Sequence, residues 1–370
     1  MENNSPPDSL LAAIHWALAF DFQAITPARV AKALQRESLT LADLGALLSP
    51  VAADYLEPLA QRARRVTRSF FGRNIGLYTP LYLANHCVNH CLYCGYHYGN
   101  AIRRGVLTPP EIAGELAAIK AMGLSDVLLL TGESRQLSGP DYLEVAVRLA
   151  ARNFASVGLE VYPLKTEEYA RLRLAGADYV CVYQETYDPQ VYAQAHPKGP
   201  KRNYAWRLGA PGRALAAGIR GVGLGALLGL ADFRHDALAL GAHGQFLERQ
   251  YPAADLAYST PRLRPIPGVM GQFGRINERE LTQIILALRL FSPSFGLSLS
   301  TRESPGFRDN LIGLGITRLS AAVKTSVGGH DGPGQGDEQF QKSDGRDVAE
   351  VCQAIVARGH QPVFTDYARL

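Results

Sequence analysis

The sequence predicts an α/β protein: a closed (β/α)8 barrel of the TIM type with an N-terminal helical extension. Three observations carry this. From Ile75 onward, short apolar runs alternate with stretches of helical periodicity, the pattern of repeated βα units around a parallel sheet. Eight such runs can be counted, which favours closure into a barrel over an open doubly wound sheet. The 370 residues, 47% of them hydrophobic, suffice to bury a core of that size.

Before the repeating part, Leu10, Ile14, Trp16 and Leu18 gather on successive helical turns, and amphipathic stretches follow at 27–34 and 56–70. Residues 1–74 are expected to form the helical extension, and 75–370 the barrel with a C-terminal closing segment. Strands are expected at 76–83, 126–130, 159–164, 179–183, 221–226, 256–263, 296–300 and 317–323. After the first, Thr108-Pro-Pro-Glu111 reads as a capping box with proline in the first turn, and Ile112, Leu116 and Ile119 then recur at helical spacing up to about Gly123. Thr166 is the expected N-cap of the helix after the third strand. Leu281, Ile284, Ile285 and Leu288 mark the helix after the sixth, and Ser304-Pro305 opens the one after the seventh. The segment 328–345, rich in Gly, Asp and Gln, reads as a mobile loop, followed by a last helix and a closing run at 362–364.

The charges exclude some partners. The 38 basic and 34 acidic residues are spread along the chain without a basic block, so nucleic acid is not expected. The acidic, polar stretch 1–8 is no secretory signal, and no apolar run approaches the roughly 18 residues of a membrane span, so a cytoplasmic protein with no membrane partner is expected. Three of the five cysteines fall within eight residues, which points to metal ligation in a reducing compartment.

Those three lie in Asn85-His-Cys87-Val-Asn-His-Cys91-Leu-Tyr93-Cys94-Gly95, just past the first strand, where a barrel of this kind places its active site. Iron–sulfur cubanes usually take four thiolates, so three leave one iron open to a small molecule. A zinc knuckle would instead use Cys87, Cys91, Cys94 and one of His86, His90 or His97, which would suit a non-catalytic zinc-binding structural or assembly protein. Isolated Cys181 and Cys352 read as buried small hydrophobes.

The C-x3-C-x2-C spacing, with Tyr93 just before the third cysteine, resembles the radical S-adenosylmethionine superfamily. The resemblance implies a [4Fe–4S] cluster on Cys87, Cys91 and Cys94. Its open iron would chelate S-adenosyl-L-methionine, which one electron splits to a 5′-deoxyadenosyl radical. It also implies that Thr131-Gly132-Glu133 receives the methionyl ammonium, that Glu185 is an acidic ribose ligand, and that Arg207 pairs with the methionyl carboxylate. Plainer roles exist: Glu133 as a helix-terminal cap, Glu185 and Arg207 as a surface ion pair. Gly223, Gly225 and Gly229 could admit the adenine or simply serve turns.

From residue 82 to 364 the chain is similar to the 2-iminoacetate synthases, the ThiH-type tyrosine lyases of thiamine biosynthesis. The similarity lies in Gln184-Glu185-Thr186-Tyr187, the run GLGALLGL at 223–230, Pro261-Arg-Leu-Arg-Pro265 and Leu297-Ser-Leu-Ser-Thr-Arg302-Glu303-Ser-Pro305. It implies cleavage of L-tyrosine at Cα–Cβ to p-cresol and dehydroglycine (2-iminoacetate) for the thiazole ring. It also implies a one-electron donor of flavodoxin or ferredoxin type, and a thiazole synthase to take the product. A zwitterionic substrate needs a cation for its carboxylate, and Arg302 is the candidate. Its neighbour Glu303 should face the other way, since adjacent strand residues do. Arg262 and Arg264 share one face; Ser298 and Ser300 have the spacing to line the pocket with Arg302. Tyr96, His97 and Glu303 are candidates to accept the phenol proton. Two stretches, Gly-Tyr-His-Tyr at 95–98 and PIPGVMGQFG at 265–274, depart from the family pattern. The rivals are a tryptophan lyase and the tyrosine lyase of hydrogenase-cofactor assembly. The latter adds a C-terminal cysteine motif, whereas the last third of this sequence holds only Cys352.

Overall fold

The computed structural model describes residues 6–264 and 274–365; of the atypical run 265–274, all but Gly274 lies outside them. The chain opens with helices α1 (Asp8–Leu18), α2 (Pro27–Gln35), α3 (Leu41–Leu48) and α4 (Leu56–Phe71). Then come β1 (Asn74–Ala84), α5 (Pro109–Ala121), β2 (Asp126–Thr131), α6 (Pro140–Ala151), β3 (Ser156–Glu160), α7 (Thr166–Ala175) and β4 (Tyr179–Cys181). Three short helices, α8 (Pro189–Ala195), α9 (Tyr204–Leu208) and α10 (Ala210–Ala216), lead to β5 (Gly221–Gly225), α11 (Phe233–Gln250), β6 (Asp255–Ser259) and α12 (Glu278–Phe291). The chain ends with β7 (Gly296–Leu299), α13 (Pro305–Leu311), β8 (Arg318–Ser320), α14 (Val348–Ala357) and β9 (Gln361–Val363).

The strands are parallel and stand in chain order from β1 to β8, and β1 closes the ring by pairing with both β2 (Thr79↔Val127) and β8 (Gly76↔Arg318). This is the eight-stranded barrel that the eight apolar runs predict. β9 adds to the start of β1, Ile75 opposite Pro362. In the extension, α1 and α3 pack on α11, and α3 and α4 on α12, so the helices share one continuous core with the barrel. Local signals explain several ends. The Thr108 backbone and hydroxyl both donate to the Glu111 carboxylate, at 2.6 and 2.7 Å, which completes the expected box at α5. Ser304 caps α13 by accepting from the Phe307 N–H.

Four local readings need correction. Trp16 is 42% exposed, and the buried face of α1 is Leu10, Ile14 and Ala17, the i, i+4, i+7 stripe of a packed helix. β3 begins three residues earlier than expected. Val161, Tyr162 and Leu164 are buried beyond the strand, where the Tyr162 hydroxyl donates to the Ser138 carbonyl at 2.9 Å and the Leu164 N–H to the Tyr169 hydroxyl at 3.2 Å. An apolar run alone does not distinguish paired from merely buried backbone. Thr166 is the first helical residue of α7, while Lys165 occupies the cap and gives its N–H to Glu168 at 2.8 Å. The segment expected to be a mobile loop is tied down: buried Asp344 pairs with Arg308 and Arg346, and Gln339 and Phe340 reach the barrel mouth.

Along β5, glycines alternate toward the barrel interior. A Cβ on Gly223 would meet the Cys181 sulfur at 2.6 Å, and one on Gly225 the Tyr183 ring at 2.5 Å. These glycines make room for the side chains of the β4 region. Below the mouth, Arg318 pairs with Asp126 and lies over the rings of Tyr78 and Tyr179, at 5.1 and 5.0 Å, forming a polar layer across the barrel.

Candidate active site

The register of β1 with β2 shifts between Tyr82 and Ala84, and the chain then leaves the barrel as the loop carrying the three cysteines. Two side chains fasten that loop. The Asn85 amide donates to the Arg103 carbonyl at 2.9 Å and accepts from the Gly105 N–H at 2.8 Å. The Arg104 guanidinium donates to the carbonyls of Asn85, Tyr96 and His97, at 2.6, 2.8 and 2.8 Å. Asn89 then joins three segments: its amide donates to Glu133 at 2.6 Å, stands 3.7 Å from the Cys87 sulfur, and accepts from the Lys201 N–H at 2.8 Å. Gln339 likewise points its amide at the Cys94 sulfur, 3.8 Å away.

These donors suit thiolates. Burial pushes the Cys91 thiol up to about 12 and raises Cys94 as well, so only a bound metal would keep both deprotonated near neutral pH. A Cys3His zinc site requires four ligands converging on one ion. Among the described residues, no three His, Cys, Asp or Glu side chains converge in that way. Three cysteines on one loop, with the Asn89 and Gln339 amides 3.7 and 3.8 Å from two of the sulfurs, fit a [4Fe–4S] cluster that keeps one iron free of a protein ligand.

Beside the loop lies the turn after β2. Thr131 Oγ1 is buried without a hydrogen bond among the described residues. Gly132 is required by close approach, because a Cβ there would come within 2.3 Å of the His86 carbonyl oxygen. The Glu133 carboxylate faces Asn89 and caps no helix. Across from it, Glu185 has a φ of 73°, a left-handed conformation that costs a side-chain-bearing residue about 1–3 kcal/mol and recurs at functional sites. Lys201 meets it at 2.6 Å and Arg207 at 3.3 Å, while Arg207 Nε donates to the Tyr183 carbonyl at 2.6 Å. Burial by itself would raise the Glu185 carboxyl, but the two cations outweigh it and hold the group at about 2. Both Glu185 and Arg207 are buried, so their ion pair belongs to the site and not to the surface. Tyr93 is buried with its hydroxyl 2.6 Å from His196 Nε2, and Lys201 Nζ stands 5.4 Å from its ring.

One cavity at the mouth joins these groups to the far side of the barrel. Its lining includes Tyr93, Cys94, Glu185 and Lys201 on one side and Ser300 and Arg302 on the other. Past the end of β7 the chain turns, the Glu303 N–H donating to the Ser300 carbonyl at 3.3 Å. Ser300, Thr301 and Arg302 line the mouth from this turn, with Ser300 and Arg302 half-buried and Thr301 and Glu303 buried. Arg302 stacks on Phe340, 3.6 Å from the ring centroid, and has no anionic partner among the described residues. Glu303 instead binds Arg262, with Nε to Oε1 at 3.0 Å, and Arg264 at 3.3 Å. Ser300 lines the mouth with Arg302, whereas Ser298 lines a separate space nearer the other end of the barrel. Of the three groups expected as phenol acceptors, none lines the mouth: Tyr96 donates to the Thr325 carbonyl at 2.8 Å, Glu303 is engaged, and His97 sits in the clamped loop. Asn89, Lys201, His196, Gln339 and Glu160 are site residues that the sequence reading did not single out. Only Asn89 carried a signal there, its place within the cysteine string.

Residues 81–239, which contain the cysteine loop and the Glu185–Arg207 pair, match the Radical SAM superfamily, and residues 259–361 match the Biotin and Thiamin Synthesis associated domain. The barrel with its three-cysteine loop is therefore that of a radical S-adenosylmethionine enzyme, whose cofactors are a [4Fe–4S] cluster and S-adenosyl-L-methionine. Over 343 residues the chain is 45% identical to the 2-iminoacetate synthases of Salmonella typhimurium and Escherichia coli, covering 92% of this chain and 91% of each of theirs. It belongs to the 2-iminoacetate synthase family. Among solved structures, the FeFe-hydrogenase maturase HydG from Carboxydothermus hydrogenoformans superposes with a TM-score of 0.86 at 30% identity, covering 96% of this chain and 83% of that one. Methylornithine synthase (PylB), at a TM-score of 0.73 and 23% identity, shares the fold.

Proposed function

We propose that this chain is a radical tyrosine lyase that cleaves L-tyrosine between Cα and Cβ to p-cresol and 2-iminoacetate, the glycine-derived unit of the thiamine thiazole. The observation that carries this reading is the mouth cavity, whose lining joins Cys94 of the cysteine loop to Arg302, a guanidinium with no ion pair among the described residues. When bound, the cluster and S-adenosylmethionine supply one-electron chemistry that removes a hydrogen atom from the substrate.

The remaining roles fall to the chain. Cys87, Cys91 and Cys94 hold the cluster. Thr131, Gly132 and Glu133 receive the methionyl ammonium, Glu185 the ribose, and Arg207 the methionyl carboxylate. Arg302 binds the tyrosine carboxylate through its planar fork, and its stacking on Phe340 limits the orientations the fork can take. Ser300 adds a hydroxyl beside it. Tyr82, whose hydroxyl donates to Gln339 at 2.8 Å, helps exclude water from above the substrate. Glu303 and Tyr96 act as supports, Glu303 by holding Arg262 and Arg264 behind the strand, Tyr96 by fixing the loop to residue 325. A flavodoxin or ferredoxin supplies the electron. Because an imine hydrolyses in water, a thiazole synthase is the partner that the product's chemistry calls for.

The test is anaerobic reconstitution followed by incubation with L-tyrosine, S-adenosylmethionine and a one-electron reductant. Equal formation of 5′-deoxyadenosine and p-cresol is expected. Deoxyadenosine without p-cresol, or p-cresol accompanied by cyanide, would reject this reading, the second outcome in favour of the hydrogenase-type lyase.

A further inference from the structure

The mouth cavity is lined by four formally charged side chains: Glu160, Glu185, Lys201 and Arg302. Glu185 and Lys201 neutralise one another at 2.6 Å. That leaves one carboxylate and one guanidinium, Glu160 and Arg302, with no ion pair among the described residues. Their places in the fold are fixed by strand geometry. Glu160 is the last residue of β3, in register with Leu130 of β2, and follows Ser156 and Gly158 on the interior face. β3 and β7 stand four strands apart in a ring of eight, so the two groups face each other across the mouth.

A carboxylate and a guanidinium set opposite one another, each half-buried and each without an ion pair among the described residues, form the complement of a zwitterion. We propose that Glu160 receives the ammonium group of the substrate amino acid, as Arg302 receives its carboxylate, and thereby selects a free α-amino acid over analogues that lack the amine. This rests on the reading of tyrosine as substrate. A half-buried carboxylate with no ion pair among the described residues carries a desolvation cost, and the bound ammonium offsets it each time substrate enters. Burial, and after it the Glu185 carboxylate, push Glu160 up to about 7, although Arg302, Arg207 and Lys201 act on it in the lowering direction. Glu185 cannot serve in its place, because Lys201 and Arg207 already hold it.

The experiment measures equilibrium binding of L-tyrosine and of 3-(4-hydroxyphenyl)propanoate to anaerobically reconstituted holoenzyme saturated with S-adenosylmethionine, for wild type, Glu160→Gln and Glu160→Asp. Binding of S-adenosylmethionine alone is measured in parallel. Loss of one charge-assisted hydrogen bond should weaken tyrosine by about tenfold or more in Glu160→Gln. The propanoate, which lacks the amine, should change by less than about twofold, so the preference between the two ligands collapses. Glu160→Asp, which keeps the charge on a shorter arm, should recover part of that preference. Equal losses for both ligands would make Glu160 a structural residue and overturn the inference. A loss confined to S-adenosylmethionine would assign Glu160 to the cosubstrate's ammonium and overturn it too. Wild-type enzyme that binds propanoate but not tyrosine would overturn the substrate reading and the inference with it, an outcome distinct from failure of the variants alone.

Discussion

Along the run that leaves β7, one step separates Arg302, open to the mouth, from Glu303, which holds Arg262 and Arg264 on the other face of the sheet. The candidacy of Arg302 for the mouth was readable in the sequence; that it stands in the turn after β7 was not. That Glu303 is occupied was not, because its partner lies 41 residues away. Arg302→Lys keeps the charge and loses the fork, so the tyrosine requirement should rise by about tenfold or more. p-Cresol should fall much further than 5′-deoxyadenosine, since the S-adenosylmethionine side of the cavity keeps its own charges. An unchanged ratio of the two products in an anaerobic assay would remove Arg302 from the site. The cysteines divide equally sharply. Cys91→Ala should lose iron and deoxyadenosine formation together, while Cys181→Ala should retain both, because Cys181 faces Gly223 inside the barrel, away from the loop. Iron and sulfide analysis with a deoxyadenosine assay checks this.

At the scale of the element, the cysteine loop has little regular structure of its own and takes its shape from neighbours. Asn85 and Arg104 satisfy its carbonyls, Asn89 joins it to the turn after β2, and Gly132 lets the two segments touch. Gly132→Ala places a Cβ within 2.3 Å of the His86 carbonyl, a backbone atom that cannot rotate away. The loop must move, and reconstitution should then yield well below the roughly four irons of a full cluster, with the barrel intact. Iron content read beside a far-ultraviolet circular dichroism spectrum would decide it; full iron loading in Gly132→Ala would show that the loop tolerates displacement. β3 offers the complementary lesson. Its apolar run continues through Val161, Tyr162 and Leu164 while pairing stops at Glu160, so hydrophobicity alone does not mark the residue that ends the strand.

For the whole molecule, the segment read as mobile becomes part of the wall of the site. Arg308 and Asp344 form an ion pair with both side chains buried, Arg346 bridges Asp344 to Asp309, and together they fasten the segment to α13. Asp344→Asn leaves Arg308 buried with a weakened partner and should cost stability, up to about 3–5 kcal/mol, lowering the melting temperature. The pH dependence has a definite sign. Burial raises the Asp344 carboxyl, but Arg346 and Arg308 outweigh it and hold it below its ordinary value; Asp43 is lowered in the same sense, with Thr40, Arg29 and Arg36 outweighing burial. A lowered folded-state value adds stability that is complete above the unfolded pKa, near 4, and fades as the pH falls through the folded value. Melting temperature should therefore drop on acidification below about pH 4, less steeply in Asp344→Asn; identical slopes would show that the pair contributes nothing. Much of this protein was determined by sequence alone: the eight βα units, the helix caps at Thr108 and Ser304, the three-cysteine motif at a strand end and the inward Arg302. Each depends on periodicity or spacing within a few residues, where covalent geometry sets which side chains share a face. Tertiary structure alone decided the pairing of Glu303 with Arg262, the seat of Gln339 and Phe340 over the mouth, and the placing of Glu160 opposite Arg302 with no ion pair among the described residues. Those outcomes depend on which groups meet, or fail to meet, after the ring closes, and closure brings together side chains as far apart in sequence as Tyr82 and Gln339.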